Sequence, residues 1–167
     1  MKKKLFLIPL AIIIFIPFPT VTVPEWKLQY VDLKGRPVEG LPLSQTWQNY
    51  SIESHDSTSD GVTDYQGNVV FSEHKSWAPI IGRIFLPILN FMQSGVHASF
   101  GSSSWVISRC DVKEIGDNAA VYWGQPLPDK IVIGYDDRSH IRNLIPGALP
   151  LPEKCKTIDK QLRDASL

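Results

Sequence analysis

Cysteine is scarce in this 167-residue chain: only Cys110 and Cys155 occur, and there is no C-x-x-C pair. The close thiolate spacing that zinc ribbons and dithiol redox motifs require is therefore missing. Histidine is equally thin. His55, His74, His97 and His140 never fall two or four residues apart and no H-E-x-x-H is present, so no single element offers a ready-made histidine metal pair. The nucleophile elbow G-x-S-x-G is absent. Charge is balanced at 17 basic and 17 acidic residues. No basic footprint for nucleic acid follows from that, and no cofactor motif is found.

Charge is missing altogether between Leu5 and Val23, a run that follows Lys2, Lys3 and Lys4. A positive start and an apolar core are the order of a secretory signal. The run also approaches the roughly 20 residues that span a bilayer as a helix. No A-x-A marks a cleavage site, the nearest small pair being Thr20 and Thr22, while Pro9, Pro17 and Pro19 would break helical turns. A cleaved signal and a retained anchor over residues 1–23 both fit. Either exports the remainder, with the lysines held in the cytoplasm, and a retained anchor would be the only contact with membrane. The exported part keeps 14 basic and 17 acidic residues and is weakly acidic. In an oxidising compartment Cys110 and Cys155 are a candidate disulfide.

After Pro24 the pattern is β-like. "WKLQYVDL" alternates Trp26, Leu28 and Tyr30 with Lys27 and Gln29, and "LPLSQTWQNYSIE" sets Leu41, Leu43 and Trp47 on one face. "VTDYQGNVVF" reads as a hairpin, with Asp64 bonding amides ahead of it and Gly67 in the left-handed region. "WAPIIGRIFLPILNFMQSG" changes period: Ile80, Ile81, Ile84, Phe85, Ile88 and Leu89 share a helical face, opened by Pro79 and bent at Pro87. This predicts a short helical insertion near 77–94 packed over the sheets; the alternative is an amphipathic helix dipping into a membrane surface, against which stands a polar face with almost no lysine or arginine. Strand patterns return in "GVHASF", "SSWVISRCDV", "AAVYWG" and "DKIVIGY". The expected domain is an antiparallel β-sandwich over residues 24–136. A proline-rich, extended tail over 137–167 follows, with at most a helical turn or two in "TIDKQLRDA".

"VDLKGRPVEGLPLSQTW" and "GVTDYQGNVVF", taken in order, resemble the carboxypeptidase regulatory-like, or transthyretin-like, β-sandwich family. The positions that carry the resemblance are Asp32, Gly35, Pro37, Val38, Gly40, Thr63, Asp64, Gly67 and Phe71. They cover about a quarter of the chain. The resemblance implies a Greek-key sandwich of about seven strands, usually without catalytic activity, that accompanies other proteins or serves as a structural or binding unit. One activity found among transthyretin relatives, hydroxyisourate hydrolysis, goes with a C-terminal Tyr-Arg-Gly-Ser. This chain ends "DASL" and does not carry it.

Two other chemistries can be weighed from the residues. Asp56, Asp60 and Asp64 could offer oxygens to calcium, but their spacing of four and the lack of a closing glutamate do not match a calcium loop. Among Trp26, Trp47, Trp77, Trp105 and Trp123, alternation places Trp47 and Trp123 in strand cores, which leaves Trp77 as the best exposed platform for stacking a ligand. The sequence thus points to an exported, non-enzymatic module of the cell envelope with a protein or glycan partner. A carbohydrate-binding module or a small envelope hydrolase is the alternative.

Overall fold

The computed structural model describes residues 13–95, 99–110, 112–115, 120–126, 128–135 and 153–166. The first layer forms where apolar residues alternate. In β2 (Trp26–Val31), Trp26, Leu28 and Tyr30 turn inward and Lys27 outward. An antiparallel neighbour, β5 (Asn68–Phe71), sets Phe71 opposite Trp26 and Val69 opposite Leu28. On the other side β10 (Lys130–Tyr135) runs parallel to β2, and β8 (Val112–Ile115) lies antiparallel to β10. The parallel pair departs from the fully antiparallel expectation. Its two strands are separated by a long crossover through the second sheet, which is what parallel pairing requires.

That second sheet is antiparallel throughout, in the order β4 (Ser57–Val62), β3 (Pro42–Asn49), β7 (Ser102–Ser108), β9 (Val121–Tyr122). Leu43 and Val106 from it, with Leu41 just ahead of it, join Trp26, Tyr30, Phe71, Ile131 and Ile133 in one core. The sheets approach so closely that a Cβ added at Gly61 in β4 would stand 2.8 Å from a Val69 methyl and 3.1 Å from the Phe71 ring. The protein is mostly β, as its alternation predicts.

Three segments differ from expectation. Residues 17–23 do not continue a leader helix. They form β1 (Pro17–Val23), paired antiparallel with β6 (His74–Pro79) in a two-stranded sheet, with Thr22 and Val23 buried. Alternating threonine and valine from Thr20 to Val23 favour that strand. Among the described residues no helix is long and apolar enough to cross a membrane. The strand expected in "GVHASF" is not found at residues 99 and 100, and residues 96–98 lie outside the described ones; β7 begins at Ser102.

The C-terminal region carries more structure than an extended tail. Residues 136–152 lie outside the described ones, but Glu153–Ser166 is a helix, here α2, of 14 residues. Its buried residues Cys155, Ile158, Leu162 and Ala165 recur at helical spacing and pack toward β10, so the segment has a hydrophobic face of its own. The insertion forms α1 (Ile80–Ser94), opened by Pro79 and containing Pro87.

Candidate functional site

The two sequence motifs meet in space and use their polar groups on the backbone. The Thr63 hydroxyl donates to the Val38 carbonyl at 2.6 Å and accepts from the Leu41 amide at 2.8 Å. The Gly40 amide donates to the Thr63 carbonyl. Asp64 Oδ1 accepts from the amides of Gln66 and Asn68, each at 2.8 Å, and closes the turn. Gly67 takes a φ of 75° and its carbonyl accepts from the Tyr30 amide, which holds the turn against β2. Gly35 turns the other loop beside Pro37, and Phe71 is buried in the core. "VTDYQGNVVF" is a structural corner.

Asp32 is the most confined charge in this corner. Its side chain is fully buried, while that of Arg36 is about half exposed. Oδ1 accepts from the Lys34 and Arg36 amides at 2.9 Å, and Oδ2 from Arg36 Nε at 2.7 Å. Burial by itself would raise the pKa, but the Arg36 and Lys34 amides and the Arg36 guanidinium together hold the carboxyl below its ordinary value. A depressed folded pKa gives stabilisation that is complete above the unfolded-state value of about 3.9 and is lost as pH falls through the lower folded value. Acid titration of the fold by circular dichroism should therefore show a loss below about pH 4 that is shallower in Asp32→Asn, which carries no titrating group there.

A second polar cluster joins the two-stranded sheet to β3. The His74 ring lies flat on Trp47, with centroids 3.6 Å apart, and its Nε2 stands 3.2 Å from Gln45 Oε1. Burial lowers the His74 pKa, and the Glu53 charge acts against that shift. The Ser76 hydroxyl donates to Glu53 Oε1, and Glu53 Oε2 accepts from the Asn49 amide at 2.6 Å. Hydrolytic use of a serine needs its hydroxyl on an imidazole and that imidazole on a carboxylate. Here the hydroxyl goes straight to the carboxylate and the imidazole faces an amide. The arrangement is a tie between sheets. Beside it, a groove of about 490 Å³ runs between residues 50–54 and α1, lined by Gln48, Tyr50, Glu53, Leu86, Leu89 and Gln93 among others.

The helix that forms one wall of this groove turns its polar side chains Arg83 and Asn90 toward the body. Ile80, Ile81, Gly82, Arg83, Pro87 and Asn90 are its less exposed residues, and Arg83, Pro87 and Asn90 stand at the i, i+4, i+7 spacing of one face. Arg83 donates to the carbonyls of Ala78 and Phe18 and lies 4.0 Å over the Phe18 ring. Asn90 donates to the carbonyls of Tyr50 and Ser99. Polar groups thus bind the body, while Ile84, Phe85, Ile88, Leu89 and Met92 project outward, Met92 with 75% of its surface exposed. Of the face that the periodicity predicts, Ile84, Phe85, Ile88 and Leu89 are exposed and not packed over the sheets, while Ile80 and Ile81 are partly buried. Full burial of such a side chain is worth about 1.5–3 kcal/mol, and the four exposed ones already have about half of their surface covered, so each has roughly half of that to gain from being covered fully.

The other sequence candidates separate. Trp77 is exposed on β6, between inward-facing Ser76 and Ala78. Trp123, expected in the core, is exposed instead and lies nearly parallel to Tyr50, because β9 ends at Tyr122 and releases it from the sheet. Trp47 is half-buried under His74, and Trp26 is buried with its indole N–H on the Pro128 carbonyl. Asp60 pairs with Arg109, and Asp64 is taken up by the amides of its own turn. Among the described residues no group of three acidic, cysteine or histidine side chains could hold a metal; His97 and His140 lie outside them. Cys110 and Cys155 are joined by a disulfide with Cα atoms 5.3 Å apart. The outward residues of α1 are the largest exposed apolar group on any helix among the described residues, and the sequence gives their period but not their direction. No protein-family model, curated protein or solved structure matches this chain.

Proposed function

We propose that the chain is an exported, non-enzymatic Greek-key β-sandwich of the carboxypeptidase regulatory-like type, acting as a structural or binding module of the cell envelope. The Cys110–Cys155 bond carries the reading. It stitches α2 to the body in a chain with no other cysteine, and such a bond persists in oxidising compartments outside the cytoplasm. The lysines and uncharged run at the N-terminus supply a route there. A non-catalytic role is supported by the use to which the motif residues are put: Asp32, Thr63 and Asp64 are committed to backbone hydrogen bonds. Expression of the full chain followed by cell fractionation tests the proposal. Recovery in the envelope or outside the cell is expected, and recovery as a soluble cytosolic protein with reduced thiols would contradict it. A glycan-binding reading draws on the exposed rings of Trp77 and Trp123, and quenching of tryptophan fluorescence by oligosaccharides, lost in Trp77→Ala, would favour it.

A further inference from the structure

We infer that α1 lies on a lipid bilayer, with Ile84, Phe85, Ile88, Leu89 and Met92 in the interface, as the second half of a two-part membrane attachment. Three observations meet here. The first is the orientation of the helix, whose polar residues Arg83 and Asn90 bind the body while much of its apolar face stands in water. The second is position. Pro17 pairs with Pro79 across the β1–β6 sheet, so the chain entering β1 and the start of α1 leave from the same end of that sheet. Phe15 and Phe18, both exposed, lie in the chain at that end, and Phe18 is tied to α1 through Arg83.

The third observation is length. With Pro17–Val23 committed to a strand, the uncharged run ahead of the sheet shrinks to Leu5–Ile16. Twelve residues would rise about 18 Å if helical, short of the roughly 30 Å hydrocarbon thickness. A segment that short holds a membrane weakly by itself, and stable attachment generally takes two signals. The outward face of α1 provides the second at the place where the first emerges. Charge sets the kind of lipid contact. Between Lys75 and Arg109 the only charged residue is Arg83, which is occupied by carbonyls. Attraction should therefore rest on apolar burial, with little preference for anionic lipid and little dependence on salt.

The test uses the full-length, disulfide-bonded chain reconstituted in phosphatidylcholine vesicles. A polarity-sensitive fluorophore is placed at Phe85→Cys, at Met92→Cys or, as a control on exposed β4, at Ser57→Cys, and is quenched by doxyl-labelled lipid. All three positions are exposed, so the fold should tolerate them. Labels at 85 and 92 are expected to shift to the blue and to be quenched several-fold more than the label at 57, equally in low and high salt. Quenching no greater than at 57 would overturn the inference, leaving attachment to the N-terminal segment alone. Self-quenching between labelled copies in place of lipid quenching would also overturn it and assign the face to a second copy of the chain. Contact that requires anionic lipid would refute its apolar basis. None of these outcomes depends on where the protein resides in the cell, so export and lipid contact stand or fall separately.

Discussion

Replacing Cys110 and Cys155 together by alanine is expected to lower stability by as much as about 4 kcal/mol, with a fall in Tm of roughly 8–16 °C. The bond closes a loop of 45 residues, and the loop-entropy argument assigns its benefit mainly to the denatured chain. Both sulfurs lie in the core cluster, so alanine leaves a small cavity and no stranded polar group. The double variant should still fold, because α2 has other holds. Ile158 and Leu162 are buried, Gln161 Nε2 donates to the Pro37 carbonyl at 3.1 Å, and Arg163 lies 4.4 Å over the Tyr135 ring. Urea unfolding with and without reductant measures the effect. Unchanged midpoints on reduction would show that the bond contributes nothing.

Gly67→Val is expected to cost about 2–6 kcal/mol, combining ~1–3 for a β-branched residue at positive φ with ~1–3 for a disrupted buried hydrogen bond. The second part comes from the surroundings. A Cβ at Gly67 would stand 2.4 Å from the Tyr30 carbonyl oxygen and 3.2 Å from the Val38 amide nitrogen. Those two atoms are hydrogen-bonded to each other at 3.1 Å, so the methyl groups would wedge apart the link between the Asp32 loop and β2. Asp64→Asn provides the contrast within the same turn. An amide oxygen can still accept from the Gln66 and Asn68 amides, and the expected loss is about 1 kcal/mol or less. Equal losses in the two variants would mean that the turn is not held as described.

The parts of this fold that were legible in the sequence are those whose cause is local. Trp26, Leu28 and Tyr30 announce β2 through period two, and Gly67 with Asp64 announces its turn because few other residues suit that backbone. Pro79 opens α1 for a similarly local reason. What escaped was non-local. In β1, valine and threonine alternate over only four residues behind a long apolar run, and the strand is read as leader until β6 is there to pair with it. The α2 face of Cys155, Ile158, Leu162 and Ala165 has helical spacing, but a lysine- and aspartate-rich segment looks soluble until the core it covers is known. For α1, periodicity gives the face and says nothing about its direction. Arg83 and Asn90 turn inward to the carbonyls of Phe18, Ala78, Tyr50 and Ser99, which are brought there by β1, β6 and two loops. Trp123 is exposed for a similarly non-local reason, since two-residue β9 stops just short of it.

The central claim is an exported, disulfide-closed body in which β1 is an integral strand. Non-reduced intact mass of the protein taken from the envelope fraction tests it most directly. The account predicts a chain that still contains Pro17–Val23 and is lighter by the two hydrogens of one disulfide than its reduced form. Without β1, the hydrogen bonds of β6 and the buried contacts of Thr22 and Val23 would be lost. A folded protein whose chain begins after Thr22, or one carrying two free thiols, would contradict the account.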